Sequence, residues 1–348
     1  MSDRSVPFVF ALAAALGLFG GVATSQRPAE PKPLWQINER KLGVPRPSGD
    51  LMLFKIELSH GRFGFQNNNT LLISWITPDG PLPRIPKKAS PIPAVLVPSH
   101  LHVLFLDAKT GTRLRERELS VPSGPTELFI SHSGNLLVRA GNSLKLYTPD
   151  FDLLNQADLP APVTFGSFNS RTIVNISADG RRIGVCSEQR SSAKTAIFDA
   201  DDLTSLGSLP DGQQRCTVRL GDDSFLFNTS NGMEVRTIDG KLLMTDDLPK
   251  GQGLVPLTVV YARESTIFAV ETTRVTLQLT TVGETPIPMP MHLPSPYQIA
   301  VYSLKEKRRI FSLKVKGGTW GAGTYELSPD GSLFATLSNG CVRVYKLP

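Results

Sequence analysis

The stretch Tyr325-Glu-Leu-Ser-Pro-Asp-Gly-Ser-Leu-Phe-Ala335 contains two short apolar segments separated by a tight polar turn. Apolar and polar residues alternate on each side of the turn, which is the spacing of a half-buried β-strand. Asp330 can bond to the local backbone and Gly331 tolerates a positive φ, so the chain can reverse direction there. The stretch therefore predicts a β-hairpin.

The same pattern recurs about six times along the chain. Clear copies are Ile173–Val185 and Leu128–Val138, with turns that end at Gly180 and Gly134. Each copy is followed by a third strand, such as Ala196-Ile-Phe-Asp199, and by a fourth strand after another turn. Four strands in about 40–45 residues is the size of a propeller blade. Because one blade cannot bury both of its faces, the repeat predicts an all-β fold, a closed β-propeller of six blades, with seven blades as the alternative.

The last copy ends at Pro348, one strand short of a full blade. Two segments near the start of the mature chain are candidates for the missing strand, Leu34-Trp-Gln-Ile-Asn38 and Leu51-Met-Leu-Phe-Lys-Ile56. A strand from one end of the chain that completes the blade at the other end would lock the ring. The predicted propeller domain spans residues 34–348, with proline-rich insertions near 81–98 and 283–296.

The Ser-Pro-Asp-Gly turn, together with third strands such as Arg343-Val-Tyr-Lys346 and Ala196-Ile-Phe-Asp199, resembles the WD40 and YVTN-type repeat superfamily. The resemblance covers roughly residues 50–348 and implies the propeller fold. No copy keeps a Gly-His start or a Trp-Asp end, and only Asp107 and Asp199 stand where the family's aspartate would be. The hydrogen-bond network usual in those repeats is therefore not expected in most blades.

The N-terminus predicts export. Residues 6–23 are an apolar run without charge that follows Arg4, and Ala23-Thr-Ser25 offers small residues at the positions that a signal peptidase reads. Residues 1–25 are a predicted signal peptide and 26–33 a flexible mature start, so the protein is expected in the periplasm or secreted. The alternative is an uncleaved anchor, because eighteen apolar residues are near the lower limit for a membrane span. This segment is the one predicted membrane contact.

The net charge limits the classes of partner, and the cysteines raise the question of a disulfide in an exported protein. The formal net charge is +6, but the basic residues are scattered and lack the interleaved aromatic side chains that stack on bases. Nucleic acid is therefore not an expected partner. Export permits a disulfide, and Cys186 and Cys216 are the candidate pair in neighbouring blades. The alternative is that these residues and Cys341 are buried thiols that pack as small apolar groups.

No catalytic motif appears: the chain lacks His-Glu-x-x-His, Gly-x-Ser-x-Gly and a phosphate-binding loop. No cofactor and no resident metal are therefore predicted. His100 and His102 alternate along a strand and share one side, and His292 in the second insertion could add a third metal ligand; exposed loop histidines are the alternative. Trp320 in a glycine-rich loop is a candidate for stacking on a sugar or peptide, with packing between blades as the alternative.

Two functions remain open. The first is an exported, non-catalytic platform that binds a protein or ligand through the two insertions. Both insertions fall between the second and third strands of their blades, so they are expected on one face. Their prolines stiffen them and block them from becoming sticky edge strands. The second is a propeller enzyme, a lactonase-like hydrolase or quinone-dependent dehydrogenase. Its candidate polar groups on the innermost strands are Asn175, Arg219 and Glu326. The ligand, the partner and the oligomeric state are not predicted.

Overall fold

The described chain consists of β-strands joined by turns. The computed structural model describes residues 31–45, 63–80, 98–124, 126–159, 170–177, 179–189, 192–209, 224–229, 232–237, 240–246, 254–282, 285–292, 297–315, 324–338 and 340–348. Within these ranges the one helix is a 3-10 helix, Glu39–Leu42. None of the described helical structure is long and apolar enough to cross a membrane.

The strands of the described residues form six antiparallel sheets, named I to VI in chain order. The first strand, β1 (Trp35–Asn38), precedes the 3-10 helix. Sheet I contains β2 (Phe63–Asn67), β3 (Thr70–Pro78), β4 (Ser99–Asp107) and β5 (Arg113–Val121). Sheet II contains β6 (Thr126–Ile130), β7 (Leu136–Ala140), β8 (Ser143–Tyr147) and β9 (Leu153–Asp158). Sheet III contains β10 (Ser170–Ile176), β11 (Arg182–Gln189), β12 (Ser192–Asp199) and β13 (Ser205–Leu209).

The other three sheets differ in strand number. Sheet IV contains β14 (Ser224–Thr229), β15 (Gly232–Thr237) and β16 (Leu242–Asp246). Sheet V contains β17 (Leu254–Tyr261), β18 (Ile267–Val282), β19 (Thr285–His292), β20 (Tyr297–Ser303) and β21 (Arg308–Val315). Sheet VI contains β22 (Thr324–Leu327), β23 (Leu333–Ser338) and β24 (Cys341–Lys346), with β1 as its fourth strand.

Five of these sheets have at least the four strands of a complete blade, and sheet IV has three in the described part of the chain. The structure thus contains five complete blades, which corrects the prediction of six, or alternatively seven, from the repeat. The reason lies in one sheet. Residues 217–220, predicted as the innermost strand of sheet IV, lie outside the described residues, and β14 to β16 correspond to the later strands of that repeat.

Neighbouring sheets pack face to face because their strands carry apolar side chains on both sides. In β3, Leu71 and Ile73 pack against sheet VI, whereas Leu72 between them packs against sheet II. This division follows from the period of two along a strand. Among the described residues such shared cores join sheets VI and I, I and II, II and III, IV and V, and V and VI. The predicted all-β propeller architecture is confirmed in the described part of the chain.

The N-terminal strand completes the last sheet. β1 pairs antiparallel with β24, with Trp35 opposite Val344. The first of the two candidate segments therefore supplies the fourth strand, and the second, residues 51–56, lies outside the described residues. The Trp35 indole Nε1 donates a hydrogen bond to the carbonyl of Ala108 in sheet I over 2.9 Å. One residue thus joins the first sheet to the last.

Replacing Trp35 by alanine is expected to lower the free energy of unfolding by about 2–4 kcal/mol, because the change removes a half-buried ring and its hydrogen bond. Gln36→Ala, on the exposed side of the same strand, should change it by less than about 0.5 kcal/mol. Urea unfolding of both variants measures the two values. Equal stability of W35A and wild type would contradict a role of β1 in closing the ring.

One insertion forms a fifth strand in sheet V. β18 is 16 residues long, and its first part, Ile267–Thr272, pairs with β20. Its second part, Val275–Val282, pairs with β19 instead. We call residues 275–292, the second half of β18 together with β19, the sheet V arm. The arm extends the sheet beyond the four strands of the blade.

The prolines of the arm are compatible with a strand that pairs along one edge. Pro286, Pro288 and Pro290 occupy alternate positions of β19. Successive residues of a strand direct their N–H groups to opposite edges, so these prolines remove donors from one edge only. The other edge remains available for pairing with β18. The first insertion, residues 81–97, lies outside the described residues.

Candidate functional site

The first strands of sheets I, II, V and VI lie nearest the ring axis. Contacts between sheets occur between first strands in three places: β2 with β22, β17 with β22, and β2 with β6. The turns that follow these first strands therefore come together at one end of the axis. We call them the axial turns. They comprise residues 68–69 in sheet I, 131–135 in II, 177 and 179–181 in III, 262–266 in V and 328–332 in VI.

Hydrogen bonds join the axial turns of neighbouring sheets. Each bond connects a donor in an axial turn, or for Gln66 in the strand just before one, to an oxygen of the next sheet. They are Asp330 N to Asn68 Oδ1 (2.9 Å), Gln66 Nε2 to the Gly134 carbonyl (3.3 Å), His132 N to the Gly180 carbonyl (2.8 Å) and Glu264 N to the Pro329 carbonyl (2.8 Å). The described turns are thus tied into a chain of contacts around the axis.

Arg263 bonds to two sheets that are not neighbours of its own. From the axial turn of sheet V, its Nη2 donates to the carbonyls of Phe65 and Gln66 in sheet I, over 2.8 and 2.9 Å. Its Nη1 donates to the carbonyls of Ser131 and, over 3.5 Å, His132 in sheet II. A guanidinium is a planar fork of donors, which suits several acceptors at once. One side chain therefore spans the axis and ties three sheets together.

A carboxyl lies close enough to interact electrostatically with this guanidinium. Glu326 is on β22, the innermost strand of sheet VI, and its side chain is only partly accessible to solvent. Burial raises the pKa of Glu326 to about 8, and the positive charge of Arg263 acts in the opposite direction. Burial also lowers the pKa of Arg263, while Glu326, Glu264 and Asp201 raise it. A carboxyl that is largely protonated at neutral pH marks this region as a candidate site.

His132 joins the axial turns of sheets II and III through both ring nitrogens. Nδ1 lies 3.0 Å from the carbonyl oxygen of Asp179, and Nε2 lies 3.1 Å from Nη2 of Arg181. The turn of sheet III approaches the turn of sheet II closely at Gly180, which has a φ of +71°. A Cβ at this position would lie 2.9 Å from the backbone nitrogen of His132. The contact therefore requires glycine at position 180.

The axial turn of sheet II has no aspartate at the position of Asp179. Asp201 from sheet III accepts the hydrogen bonds of this turn instead. In sheet III, the Ser177 hydroxyl donates to Asp179 Oδ1 over 2.6 Å. Sheet II has Ser133 at the equivalent position, and Asp201 Oδ1 accepts from its amide and hydroxyl, over 3.1 and 2.6 Å. Burial raises the pKa of Asp201, but hydrogen bonds from Ser131 and Ser133 outweigh it and hold the pKa below its ordinary value.

The histidines predicted from the sequence lie elsewhere, on the outer part of sheet I. His100 and His102 both contact Glu118 on β5: Nδ1 of His100 is 2.8 Å from Oε1, in ion-pair rather than hydrogen-bond geometry, and Nδ1 of His102 is 3.5 Å from Oε2. His102 Nε2 also contacts the Thr77 hydroxyl at 2.8 Å, and its ring stacks on Trp75 with centroids 5.2 Å apart. These contacts link β3, β4 and β5 within one blade.

The proposed third ligand, His292, is the last residue of β19, opposite Val275 at the base of the sheet V arm. Its side chain is outside the described part of the structure. Across the side chains that are described, no group of three His, Cys, Asp or Glu residues could hold a metal ion. The metal hypothesis therefore stays a prediction.

The other predicted residues fall partly outside the described chain. Trp320, Cys216 and Arg219 lie outside it altogether. Cys186 is on β11 and Asn175 on β10, both without described side chains. The disulfide between Cys186 and Cys216 therefore remains a prediction. In the described part of the chain, Cys341 is a free thiol.

Arg263 and His132 were not singled out from the sequence, although a signal was present. Each occupies the second position of its axial turn, where Pro329 stands in the clearest copy of the repeat. A long polar side chain at that position can reach another sheet, whereas proline cannot. Departures from the repeat at this one position mark two residues that connect sheets, His132 between neighbours and Arg263 across the axis.

No family model matches the sequence, and no curated protein is similar enough to count as a relative. Similar solved structures include a chain of the mitotic checkpoint complex, with 12% identity, 99% coverage of both chains and a TM-score of 0.44. They also include the Neurospora crassa Pan2 WD40 domain (11% identity, 92% of this chain, 96% of that chain, TM-score 0.40) and BamB from Moraxella catarrhalis (13%, 82%, 84%, 0.35). The fold assignment itself rests on the order of the strands and the pairing of β1 with β24.

Proposed function

We propose that this protein is exported and acts outside the cytoplasm as a non-catalytic platform that binds another protein. The observation that carries the proposal is the sheet V arm, whose strands pair with each other beyond the blade over residues 275–282 and 285–292. The arm connects the second and third strands of its sheet, so it leaves the ring at the end opposite the axial turns. A projecting segment on a rigid frame is a common recognition element.

The strands on either side of the other insertion support a binding surface at the same end of the ring as the sheet V arm. Residues 81–97 connect β3 to β4, which is the equivalent connection in sheet I. Sheets I and V both neighbour sheet VI, with which they share apolar cores. The strand ends that the two long connections join therefore lie at the same end of the ring, one sheet apart. At the other end, the polar groups of the axial turns bond to each other and to Arg263, which favours a structural role there.

The binding role is tested by shortening the arm. Replacing residues 277–290 by Asn-Gly would join Thr276 to Met291, which are paired in the structure, through a tight hairpin turn. Lys241→Ser, in an exposed turn at the opposite end of the ring, is the control. We expect the wild type and K241S to capture the same specific protein from an envelope extract, and the shortened chain to lose it at least about tenfold. Equal capture by all three would contradict the proposal.

Export is tested independently of binding. N-terminal sequencing of the protein recovered from its native cell envelope is expected to start near Gln26, after the predicted signal peptide. A start at Met1 together with membrane association would favour the anchor made of residues 6–23. Recovery of the unprocessed chain in the soluble cytoplasmic fraction would contradict export.

A propeller enzyme is the second candidate, and one observation favours it. Glu326 lies on an innermost strand and has its pKa raised to about 8, so at neutral pH its carboxyl carries a proton that it could donate. Hydrolysis of a lactone panel by the purified protein would support this function if Glu326→Gln lowered the rate at least about a hundredfold. Absence of hydrolysis, or equal rates for both proteins, would exclude this reaction class for Glu326.

A further inference from the structure

The two hydrogen bonds of the His132 ring require one particular protonation state. A carbonyl oxygen only accepts, so Nδ1, which faces the carbonyl of Asp179 at 3.0 Å, carries a proton. A guanidinium only donates, so Nε2, which faces Arg181 at 3.1 Å, keeps its lone pair. The partners thus assign a neutral imidazole with its proton on Nδ1. A second proton on the ring would break the contact with Arg181.

Four charged groups lie near His132. Arg181 lies on Nε2, and Nη1 of Arg263 lies 3.5 Å from the carbonyl oxygen of His132 itself. The carboxylate of Asp201 interacts electrostatically with His132, but its Oδ1 already accepts two hydrogen bonds from Ser133. Asp179, the fourth group, uses its Oδ1 for Ser177 and for the Arg181 amide. A protonated ring would therefore face the Arg181 guanidinium with no lone pair to accept its hydrogen bond, although the negative charge of Asp201 lies nearby.

We propose that His132 is a proton-sensitive latch between sheets II and III. In its neutral form it holds Arg181, and protonation releases Arg181 and loosens the axial turns of these two sheets. Histidine is the side chain whose charge ordinarily changes between pH 5 and 8, which makes a contact that requires a neutral imidazole a candidate pH switch. Because Arg263 bonds to the carbonyls of Ser131 and His132, the released turn is also one end of the cross-axis link.

Local hydrogen exchange tests the latch. In the wild type, backbone amides of residues 131–134 and 179–182 are expected to exchange at least about fivefold faster at pH 5.5 than at pH 7.5, after correction for the intrinsic rate. In Arg181→Gln this difference should disappear, because an amide side chain can donate to the neutral ring and accept from the protonated one. Arg182→Gln should keep the difference, because Arg182 bonds to Asp199 instead, over 2.6 Å.

A direct measurement keeps the proposal falsifiable if the Arg181 variant does not fold. Nitrogen NMR of the wild-type histidine rings, with His132 assigned by its absence in His132→Asn, is expected to show a neutral ring protonated on Nδ1 at pH 7.5. It should show a doubly protonated ring at pH 5.5. A ring protonated on Nε2, a charged ring at pH 7.5, or equal pH effects in the wild type and R181Q would each overturn the latch.

Discussion

Arg263→Met is expected to lower the free energy of unfolding by about 3 kcal/mol or more, the largest effect of any single substitution in the axial turns. The two terminal nitrogens of Arg263 donate to four carbonyls, two in sheet I and two in sheet II. Methionine is similar in length and can keep the apolar stem near Gly180, where Cδ of the arginine would lie 3.1 Å from an added Cβ. The loss therefore reports the hydrogen bonds rather than packing.

Arg263→Lys should also be destabilising, by about 2 kcal/mol. Lysine keeps the positive charge but has a single ammonium, which cannot reach the pairs of carbonyls on both sheets at once. Comparing the lysine and methionine variants separates the charge from the geometry of the fork. Urea unfolding at pH 7 measures both values. If the slope of the unfolding free energy against urea concentration is unchanged, the variants and the wild type expose the same surface on unfolding and the values can be compared.

Arg182→Met is the matched control for the arginine variants. Arg182 is also in the axial region, but it is exposed and pairs only at the surface with Asp199, over 2.6 Å. Exposed ion pairs contribute little, so this variant should stay within about 0.5 kcal/mol of the wild type. If R263M is as stable as R182M, Arg263 does not hold the three sheets together and the axial turns are held by the remaining bonds.

The hairpins could be predicted from the sequence because their causes are local. Tyr325–Ala335 forms the end of one strand, a turn and the start of the next, as the alternation and the Asp-Gly pair indicate. The closing strand could also be predicted, because the last copy of the repeat has one strand fewer than the others. Apolar and polar residues alternate along Leu34–Asn38, as in a strand. Its recognition needed only the count of strands and the period of two.

The cross-axis link could not be predicted in the same way. Arg263 and Phe65 are 198 residues apart in the chain, and their bond depends on how sheets are arranged around the axis. Nothing local in Ala262-Arg-Glu-Ser265 specifies that distance. The strand β19 was missed for a different reason: proline opposes strands in general, and only its alternate spacing at 286, 288 and 290 removes the conflict.

The stability of the wild type is expected to fall as pH rises from about 4.5 to 8, and Glu326→Gln should remove much of that fall. The folded protein holds the Glu326 proton up to a pKa of about 8, whereas the ordinary value is 4.5. Between these values the folded state binds more protons than the unfolded chain, so the free energy of unfolding decreases with rising pH. Below this range both states are neutral, and above it both are charged.

The expected change in the free energy of unfolding follows from the shift in the pKa of Glu326. Each pKa unit corresponds to about 1.4 kcal/mol, and the partial solvent access of Glu326 reduces the full value, so we expect about 2–4 kcal/mol at pH 8.5. At that pH, Glu326→Gln should be more stable than the wild type by this amount, and near pH 4.5 the two should be nearly equal. Urea unfolding between pH 4.5 and 9 measures the difference. Glu306→Gln, at an exposed pair with Arg308, should leave the wild-type pH dependence intact.

The two axial predictions are linked through one charge. The guanidinium of Arg263 lowers the pKa of Glu326, so its removal should raise that pKa further and move the loss of stability to higher pH. In the Arg263→Met background, Glu326→Gln should therefore give a larger gain at pH 9 than it gives in the wild type. Gains of equal size in the two backgrounds would mean that the two groups do not interact, and that burial alone keeps the carboxyl protonated.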